Sequence, residues 1–168
     1  MNKKNFEGRI IWYLEMINVK EFRPKSLPKY AEVIKLGIPL PIINSFFYKE
    51  VGGLWKWTDR SKWTLDNWNE WVERENLQTW ILLFHGTPAG YFELETKKNE
   101  VEIAFFGLLP KFIQKGLGGG FLSVAIKKAW ELGKTRVCVH TCNFDHKNAL
   151  NNYKARGFKV FREEKEDF

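Results

Sequence analysis

The sequence predicts a mixed α/β domain, and three observations support that prediction. Three apolar runs follow one another between residues 79 and 109 and are joined by short turns, which is typical of an antiparallel meander. Beyond residue 116 the spacing of apolar residues changes from that of a strand to that of a helix. The chain has 168 residues, 44% of them hydrophobic, which is enough for a single core. We therefore expect one domain over residues 1–168.

The first half of the chain is predicted to hold one strand, several helices and a loop. "IIWYLEM" at 10–16 predicts the first strand, and residues 29–35 and 41–49 are predicted as short helices bounded by prolines. "VGGLWKWTDR" at 51–60 is predicted as a loop. A helix is expected over 65–76, because apolar side chains there recur on one face.

The second half continues with the meander and then alternates helices with strands. The meander strands are expected at 79–84, 90–95 and 101–109, with "HGTPAG" and "TKKNE" as the turns between them. Apolar residues at helical spacing then predict a helix that begins near Leu117 and ends at Gly133.

The last third of the chain is predicted to form strand, helix and strand. "TRVCVHT" at 135–141 predicts a fifth strand, and "FKVFRE" at 158–163 predicts the final one. Between them, Asp145 is expected to cap a helix that runs to about Ala155.

The charge and the absence of long apolar runs limit the classes of protein that fit. The net charge is +7, and the stretch 110–136 has six basic residues and one acid, which suits either nucleic acid or an anionic small ligand. No apolar run approaches the roughly 20 residues of a membrane helix. The basic start lacks the uninterrupted apolar core of a secretion signal. We therefore expect a cytoplasmic protein without a membrane partner.

The two cysteines are expected to be free thiols. Cys138 and Cys142 lie four positions apart on a predicted strand, a span of about 13 Å, whereas a disulfide needs Cα atoms within about 7 Å. Free thiols agree with a reducing compartment. Two cysteines and three histidines show no accepted zinc spacing, so no metal site is expected.

A glycine cluster in "KFIQKGLGGGFL", at 111–122, is the strongest functional signal. A P-loop needs Lys and then Ser or Thr after its last glycine, but Phe121 and Leu122 follow here. A dinucleotide fingerprint needs a glycine where Phe121 stands. Glycines that open an amphipathic helix can instead present backbone N–H groups to a pyrophosphate. The alternative is that they allow tight packing between helix and sheet, and this stretch alone leaves both open.

Two segments resemble the motifs of the GNAT N-acetyltransferases, which bind acetyl-CoA. "IQKGLG" at 113–118 is similar to the family's Gln/Arg-x-x-Gly-x-Gly/Ala loop, except that Ile113 replaces the Gln or Arg. "NALNNYKARGF" at 148–158 is similar to its Ala-x-x-x-Tyr-x-x-x-Gly-Phe signature. The resemblance covers about residues 101–158. It implies a GNAT-like α/β fold whose central, mostly antiparallel sheet is splayed between strands 4 and 5 and flanked by helices.

The resemblance also implies how acetyl-CoA is held. Backbone amides of the glycine loop would bind the diphosphate, and the lysine of the loop would add positive charge. His146 stands where the family commonly has an Asn that contacts the pantetheine arm. The residues expected to bind the cofactor are Leu108, Leu109, Gln114, Lys115, Gly116, Leu117, Gly118, Gly119, His146 and Ala149.

The catalytic groups implied by the resemblance are a carboxylate base and a phenol. Glu102 is the expected base, Glu93 on the neighbouring strand is the alternative, and water alone is a third. If Glu102 points into an apolar cleft, we expect its pKa to rise. Tyr153 is the expected general acid for the leaving thiolate. The oxyanion is expected to meet backbone N–H groups near Leu108 and Leu109, beside a bulge that Gly107 would tolerate.

The acceptor pocket and the remaining polar residues have two interpretations each. Trp55 and Trp57 would stack on a cationic or aromatic acceptor while Asp59 attracts its ammonium, although alternating aromatics also form cores. His140 alternates with the two cysteines, and an inert core histidine is favoured over a Cys–His nucleophile.

Together these features predict an N-acetyltransferase. It would move an acetyl group from acetyl-CoA directly to a primary amine of a small molecule or peptide, as a monomer or homodimer. The alternatives are a non-catalytic acyl-CoA-binding sensor or interaction module and, from the basic aromatic surface, a nucleic-acid binder. The leading interpretation involves no nucleic acid.

Overall fold

Seven strands form one sheet in the computed structural model, which describes residues 8–167. The strands are β1 (Arg9–Met16), β2 (Ala31–Lys35), β3 (Leu77–Phe84), β4 (Thr87–Thr96), β5 (Glu100–Leu108), β6 (Arg136–Cys142) and β7 (Lys159–Glu166). The helices are α1 (Pro41–Gly52), α2 (Leu65–Val72), α3 (Gly118–Glu131) and α4 (Ala149–Ala155), with 3-10 turns at Val19–Glu21 and Pro110–Phe112. The basic start of the chain, residues 1–7, lies outside the described residues.

The sheet order is β2-β3-β4-β5-β6-β1-β7, and only β5 and β6 pair in parallel. This mixed, mostly antiparallel sheet confirms the predicted fold class. The N-terminal strand lies between β6 and β7, so β7 joins the sheet through β1 alone. Tyr13 of β1 is thereby placed opposite His140 of β6.

The meander is confirmed, but its first turn is tighter than predicted. His85 and Gly86, with φ of +50° and +74°, form the two-residue connection of a primed hairpin. The strand β4 therefore begins at Thr87. Pro88 of β4 has no N–H group to donate to β3. The β3–β4 register shifts at this point, so the sheet tolerates the missing donor.

Two helix predictions in the first half need correction. Residues 29–35 are not a helix, because Ala31–Lys35 pairs antiparallel with β3 and becomes an edge strand of the sheet. Tertiary pairing thus decides the state of a short segment whose own preference is weak. The helix predicted over 65–76 ends at Val72, since a turn in which Leu77 N–H donates to the Arg74 carbonyl (3.0 Å) leads directly into β3.

The two faces of the sheet have separate cores. Neighbouring residues on β4 divide between them: Phe92 packs in the larger core with α3, whereas Tyr91 packs with α1. Phe121 and Leu122 of α3 are fully buried in the larger core, and Phe47 of α1 stacks on Tyr91 with ring centroids 5.1 Å apart. Helices therefore cover both faces of the sheet and leave the β5–β6 junction open at one end.

Candidate active site

The parallel pairing of β5 and β6 stops after three residue pairs and opens a cavity. The last pair is Glu102↔Cys138, beyond which the two strands diverge. The β4–β5 register shifts so that Ala104 is the extra residue of a bulge, and the bulge is therefore not at Gly107 as expected. Gly107 keeps its place in the ladder. A Cβ there would lie 2.3 Å from Val51 Cγ1, so close packing of α1 explains the glycine.

The cavity has a volume of about 490 Å³ and extends between the diverging strands. One wall is formed by residues 103–108 of β5 and the other by residues 139–142 of β6. Residues of α4 and of the start of α3 line one end, and the other is lined by Trp55, Lys56, Trp57 and Asp59. The two ends therefore differ in the parts of the chain that build them.

At the first end lie residues 113–120, a loop together with the first turn of α3, which we call the diphosphate loop after the ligand expected from the sequence. Gln114 and Gly116 have φ of +62° and +75°, which turns successive N–H groups to one side. The first helical hydrogen bond of α3 runs from Phe121 N–H to the Leu117 carbonyl (2.9 Å). Within the described residues, the N–H groups of 114–120 have no protein acceptor, and of these residues Gln114, Gly118 and Gly119 line the cavity.

The glycines of the cluster have different roles. A Cβ on Gly120 would lie 2.5 Å from the Ser26 carbonyl, so Gly120 serves the packing of the chain against α3. Gly119 and Gly118 line the cavity, while Leu117 is 1% exposed and belongs to the core. Tight packing is therefore confirmed at Gly120, whereas the binding of a pyrophosphate at Gly118 and Gly119 stays a prediction.

Two cationic side chains lie close to Gly119 of the diphosphate loop. The ideal Cβ position of Gly119 lies 2.8 Å from Lys25 Cδ and 3.0 Å from Arg156 Nη1. The Arg156 Nε and Nη1 atoms are buried and have no hydrogen-bond partner within residues 8–167. Two buried guanidinium nitrogens without an acceptor, next to backbone amides that also have none, suit the binding of an anion.

The open edge of β5 supplies one of the two expected main-chain donors. Leu109 N–H donates to the Ala89 carbonyl (2.8 Å), so it is not available to an oxyanion. Because donors alternate along a strand, the N–H group of Leu108 points away from β4 and towards the open edge. Leu108 also lines the cavity, whereas Leu109 does not.

Tyr153 projects from α4 into the cavity wall. Its side chain is 6% exposed, and its ring packs near Phe106 and Phe158, with centroids 6.3 and 6.0 Å away. Burial, together with the negative charge of Asp145, raises the pKa of Tyr153. The phenol therefore stays protonated at neutral pH and is able to donate a proton or a hydrogen bond.

Glu102 lies at the apex of the splay and outside the cavity lining. Its Oε1 is 3.4 Å from His140 Nδ1, and its Oε2 forms an ion pair with Lys97. The hydrogen bond with His140 and the contact with Lys97 lower the pKa of Glu102 to about 2. The expected rise in its pKa is therefore wrong, because the carboxylate faces two donors rather than an apolar cleft.

Glu93, the alternative base, is the anion of a buried ion pair. It is fully buried, accepts hydrogen bonds from Asn44 Nδ2 and Trp71 Nε1 (2.8 Å each), and lies 3.5 Å from Arg60 Nη1. The Arg60 guanidinium lies 3.8 Å from the Trp71 ring centroid and 4.1 Å from that of Phe105. Glu93 does not line the cavity.

The second end is formed by residues 53–60, which we call the tryptophan loop. Its Trp55, Trp57 and Asp59 all line the cavity. Trp57 Nε1 donates to Asp145 Oδ1 (3.0 Å), and Asp145 Oδ2 also accepts from Cys142 N–H (3.1 Å). Asp145 therefore joins the tryptophan loop to β6.

The start of α4 also differs from the prediction. The helix begins at Ala149 with Asn148 as its cap residue, so the predicted cap by Asp145 is wrong. His146 and Ala149 line the cavity. His146 Nδ1 accepts the Asn148 N–H (3.1 Å), and its ring contacts that of Trp55 edge-on, with centroids 5.3 Å apart.

Comparison with known proteins shows the family. Residues 42–158 match the acetyltransferase (GNAT) family model, which is more than half of the chain. The chain belongs to the GNAT acetyltransferase family. The resemblance noted in the sequence is thereby confirmed. A comparison with curated proteins finds no match.

Solved structures share the GNAT fold at low sequence identity. A GCN5-related N-acetyltransferase from Sphaerobacter thermophilus has 14% identity and a TM-score of 0.74 over 93% of this chain and 50% of that one. A tandem GNAT protein from the clavulanic acid biosynthesis pathway has 11% identity and a TM-score of 0.64 over 94% and 52%. An aminoglycoside acetyltransferase, meta-AAC0020, from an uncultured soil metagenomic sample has 13% identity and a TM-score of 0.62 over 76% and 87%. This chain spans about half the length of the first two.

Within this GNAT domain, the structure separates the expected site residues into two groups. Those that line the cavity are Trp55, Trp57, Asp59, Leu108, Gln114, Gly118, Gly119, His146, Ala149 and Tyr153. Those that do not line it are Glu93, Glu102, Leu109, Lys115, Gly116 and Leu117. The first group includes every residue assigned to the acceptor pocket.

Sequence reasoning missed several residues that define this GNAT site. Tyr48 and Arg9 line the cavity, but each belongs to a regular element with no motif to mark it. Arg156 reaches the diphosphate loop from the end of α4, where "KAR" is an ordinary helix terminus. Only the placement of these residues in the fold reveals them.

Cys138 and Cys142 are free thiols, as predicted. Burial and the nearby Glu100 and Glu102 raise the pKa of Cys138 to about 12, so it is a poor nucleophile. In residues 8–167 no three potential metal ligands cluster, and no helix there has the length and apolarity to cross a bilayer.

Proposed function

We propose that this GNAT protein transfers an acetyl group from acetyl-CoA directly to a primary amine, in a single cytoplasmic domain. The observation that supports the proposal is the cavity itself. It connects the free amides of the diphosphate loop, the Tyr153 phenol and the tryptophan loop along one opening in the sheet. These are the three parts that a thioester donor, a leaving thiolate and a cationic acceptor require.

The donor end fits an anionic coenzyme. The N–H groups of 114–120 would hold the diphosphate of acetyl-CoA, and Arg156 and Lys25 would add positive charge beside Gly119. The pantetheine arm would then lie along the open edge of β5. There the Leu108 N–H is available to the carbonyl oxygen of the thioester.

The acceptor end favours an amine that carries an apolar or aromatic group. Trp55 and Trp57 offer ring surface, and Asp59 supplies negative charge for an ammonium. One structural neighbour is an aminoglycoside acetyltransferase, which is consistent with a small-molecule amine as acceptor. A primary amine of a peptide belongs to the same chemical class of acceptor.

The residues of the cavity provide the proton transfers of the reaction. The acceptor loses a proton to a base, and its lone pair then attacks the thioester carbonyl carbon while Leu108 N–H stabilises the developing oxyanion. As the C–S bond breaks, the sulfur takes a proton from Tyr153. The nitrogen of the adduct releases its second proton, which restores the Tyr153 phenol through solvent. The products are the amide, the free thiol of coenzyme A and one proton.

Thermal unfolding and a thiol-release assay together test the proposal. We expect acetyl-CoA to raise the melting temperature by mass action, and coenzyme A to be released only when an amine from a panel is added. Tyr153→Phe should lower kcat by about a hundredfold or more at unchanged acetyl-CoA affinity. No thermal shift at millimolar acetyl-CoA removes the donor assignment. A shift without turnover of any amine favours a non-catalytic sensor.

A further inference from the structure

The apex of the splay places a histidine between a half-buried carboxylate and the cavity. Glu102 and Cys138 form the last β5–β6 pair, and His140 lies two residues further along β6 on the same face as Cys138. His140 Nδ1 is 3.4 Å from Glu102 Oε1. The His140 side chain is 44% exposed and lines the cavity, whereas that of Glu102 is 18% exposed and does not.

The polar atoms that face the two cavity histidines indicate opposite tautomers. His146 Nδ1 accepts the Asn148 N–H, so the proton of its neutral ring is on Nε2 and that edge is a donor. His140 faces an acceptor at Nδ1, so its proton is on Nδ1. Its Nε2 then has a free lone pair on the side of the ring away from Glu102. Of the two, only His140 is able to accept a proton from a substrate.

One negative charge lies against the His140 ring. The contact with His140, and then that with Lys97 from the β4–β5 turn, lower the pKa of Glu102 to about 2, so this carboxylate is charged at every working pH. From β1, the Tyr13 ring lies 5.8 Å from the His140 ring, and its hydroxyl donates to Glu164. Arg162 lies over the Tyr13 ring, and the Cys138 thiol two residues before His140 is neutral. The other titratable groups that line the same cavity include Cys142, Asp145 and His146.

We infer that His140 is the general base of the acetyl transfer and that Glu102 is its positioning residue. This inference rests on the proposed function. The ammonium of the acceptor gives one proton to His140 Nε2, which leaves a neutral amine and an imidazolium whose charge Glu102 balances. The amine then attacks the thioester, and the imidazolium returns its proton to water. Glu102 never exchanges a proton in this sequence.

Nitrogen-15 NMR of the histidine rings tests the geometry without any substrate. At a pH where the rings are neutral, we expect His140 as the Nδ1–H tautomer and His146 as the Nε2–H tautomer. Glu102→Leu removes the acceptor and should return His140 to the Nε2–H form without changing His146. An Nε2–H His140 in the wild-type protein overturns the inference, as does an unchanged tautomer in Glu102→Leu. If that variant does not fold, the wild-type tautomer decides alone.

The pH dependence of kcat/KM tests the catalytic role with any amine that is turned over. We expect a rise in rate across pH 5–8 in the wild-type protein. His140→Gln should remove this rise and lower kcat by about a hundredfold or more, with the Kd of acetyl-CoA unchanged. Glu102→Gln should move the rise to lower pH, because the imidazolium loses its anion. His85→Asn, in the β3–β4 turn, is the matched control and should behave as wild type.

The outcomes separate the inference from the function on which it rests. If His140→Gln keeps the rise and most of the rate, the base is water or another group and the inference is overturned. If no amine is acetylated by the wild-type protein, the proposed function fails and the assignment of a base fails with it. The tautomer measurement still decides whether Glu102 orients His140.

Discussion

The two ends of the cavity are built from different parts of the protein chain. The diphosphate loop presents main-chain N–H groups, and its shape depends on positive φ at Gln114 and Gly116. The tryptophan loop presents side chains, which are held by other side chains: Trp57 by Asp145, and Arg60 by Glu93. The donor end is therefore set by backbone conformation, and the acceptor end by a network of contacts distant in sequence.

This difference explains why the two ends are expected to tolerate change differently. A main-chain site survives most side-chain substitutions but fails where a glycine conformation is lost. A side-chain site changes its ligand when a single aromatic or carboxylate is replaced. The four predictions that follow separate the two ends, beginning with the largest effect.

Breaking the buried ion pair behind the tryptophan loop should have the largest effect on stability. Glu93→Gln leaves the Arg60 guanidinium buried without an anion, since both side chains are almost inaccessible. We expect a loss of about 3–5 kcal/mol in the free energy of unfolding, measured with denaturant. Glu95→Gln, which breaks the more exposed pair with Arg74, should cost about 1 kcal/mol or less. Equal losses in the two variants would contradict the role given to Glu93.

Glu102, at the apex of the splay, should make a pH-dependent contribution to the free energy of unfolding. The folded-state pKa of Glu102 is about 2, below its ordinary value, so its ionised form stabilises the fold above about pH 4.5. That contribution is lost as the pH falls through about 2. We expect Glu102→Gln to cost about 1–3 kcal/mol at pH 7 and progressively less towards pH 2, measured by denaturant unfolding. A cost independent of pH would show that Glu102 is not held ionised.

A glycine substitution should separate binding from stability at the donor end. Gly116 and Gly86 have nearly equal φ, +75° and +74°, and a Cβ at either has no atom within 4 Å. Alanine at either position should therefore cost about 1 kcal/mol of folding free energy. Only Gly116→Ala should weaken acetyl-CoA binding, by about tenfold in calorimetry, because it displaces the amides of the diphosphate loop. Equal affinities in the two variants would place the coenzyme elsewhere.

The smallest effect is expected from removing the hydrogen bond of one indole at the acceptor end. Trp57→Phe removes the hydrogen bond to Asp145, and we expect the KM of the amine to rise by about three- to tenfold. The Kd of acetyl-CoA should not change. Trp80→Phe loses a comparable indole hydrogen bond, to Gln78, away from the cavity and is the control. A changed acetyl-CoA affinity in Trp57→Phe would show that the two ends are not independent.

The sequence predicts residues that lie in short motifs better than environments that are built by distant contacts, for the same physical reason. The glycine spacing and Tyr153 lie in short motifs, and local spacing is enough to place them at the start of α3 and on α4. The environment of Glu102 depends on His140, 38 residues away, and on Lys97 across a turn, so no local pattern gives its pKa. Asp145 was expected as a cap because its contact with Trp57, 88 residues away, cannot be seen in the sequence.

The fold shows the same division between local and distant determinants. The meander and α3 follow from apolar periodicity within each segment. The state of Ala31–Lys35 depends on its pairing with β3, and the position of β1 between β6 and β7 depends on contacts across almost the whole chain. Such pairings are decided by tertiary packing rather than by the residues of the segment itself.

A titration of the isotope-labelled protein with coenzyme A, followed by amide NMR, tests the main-chain donor site most directly. We expect the backbone amides of residues 114–120 to shift and saturate together with coenzyme A, and to remain unmoved with pantetheine, which lacks the diphosphate. If these seven amides stay in place while coenzyme A binds elsewhere on the protein, the diphosphate loop does not hold the coenzyme.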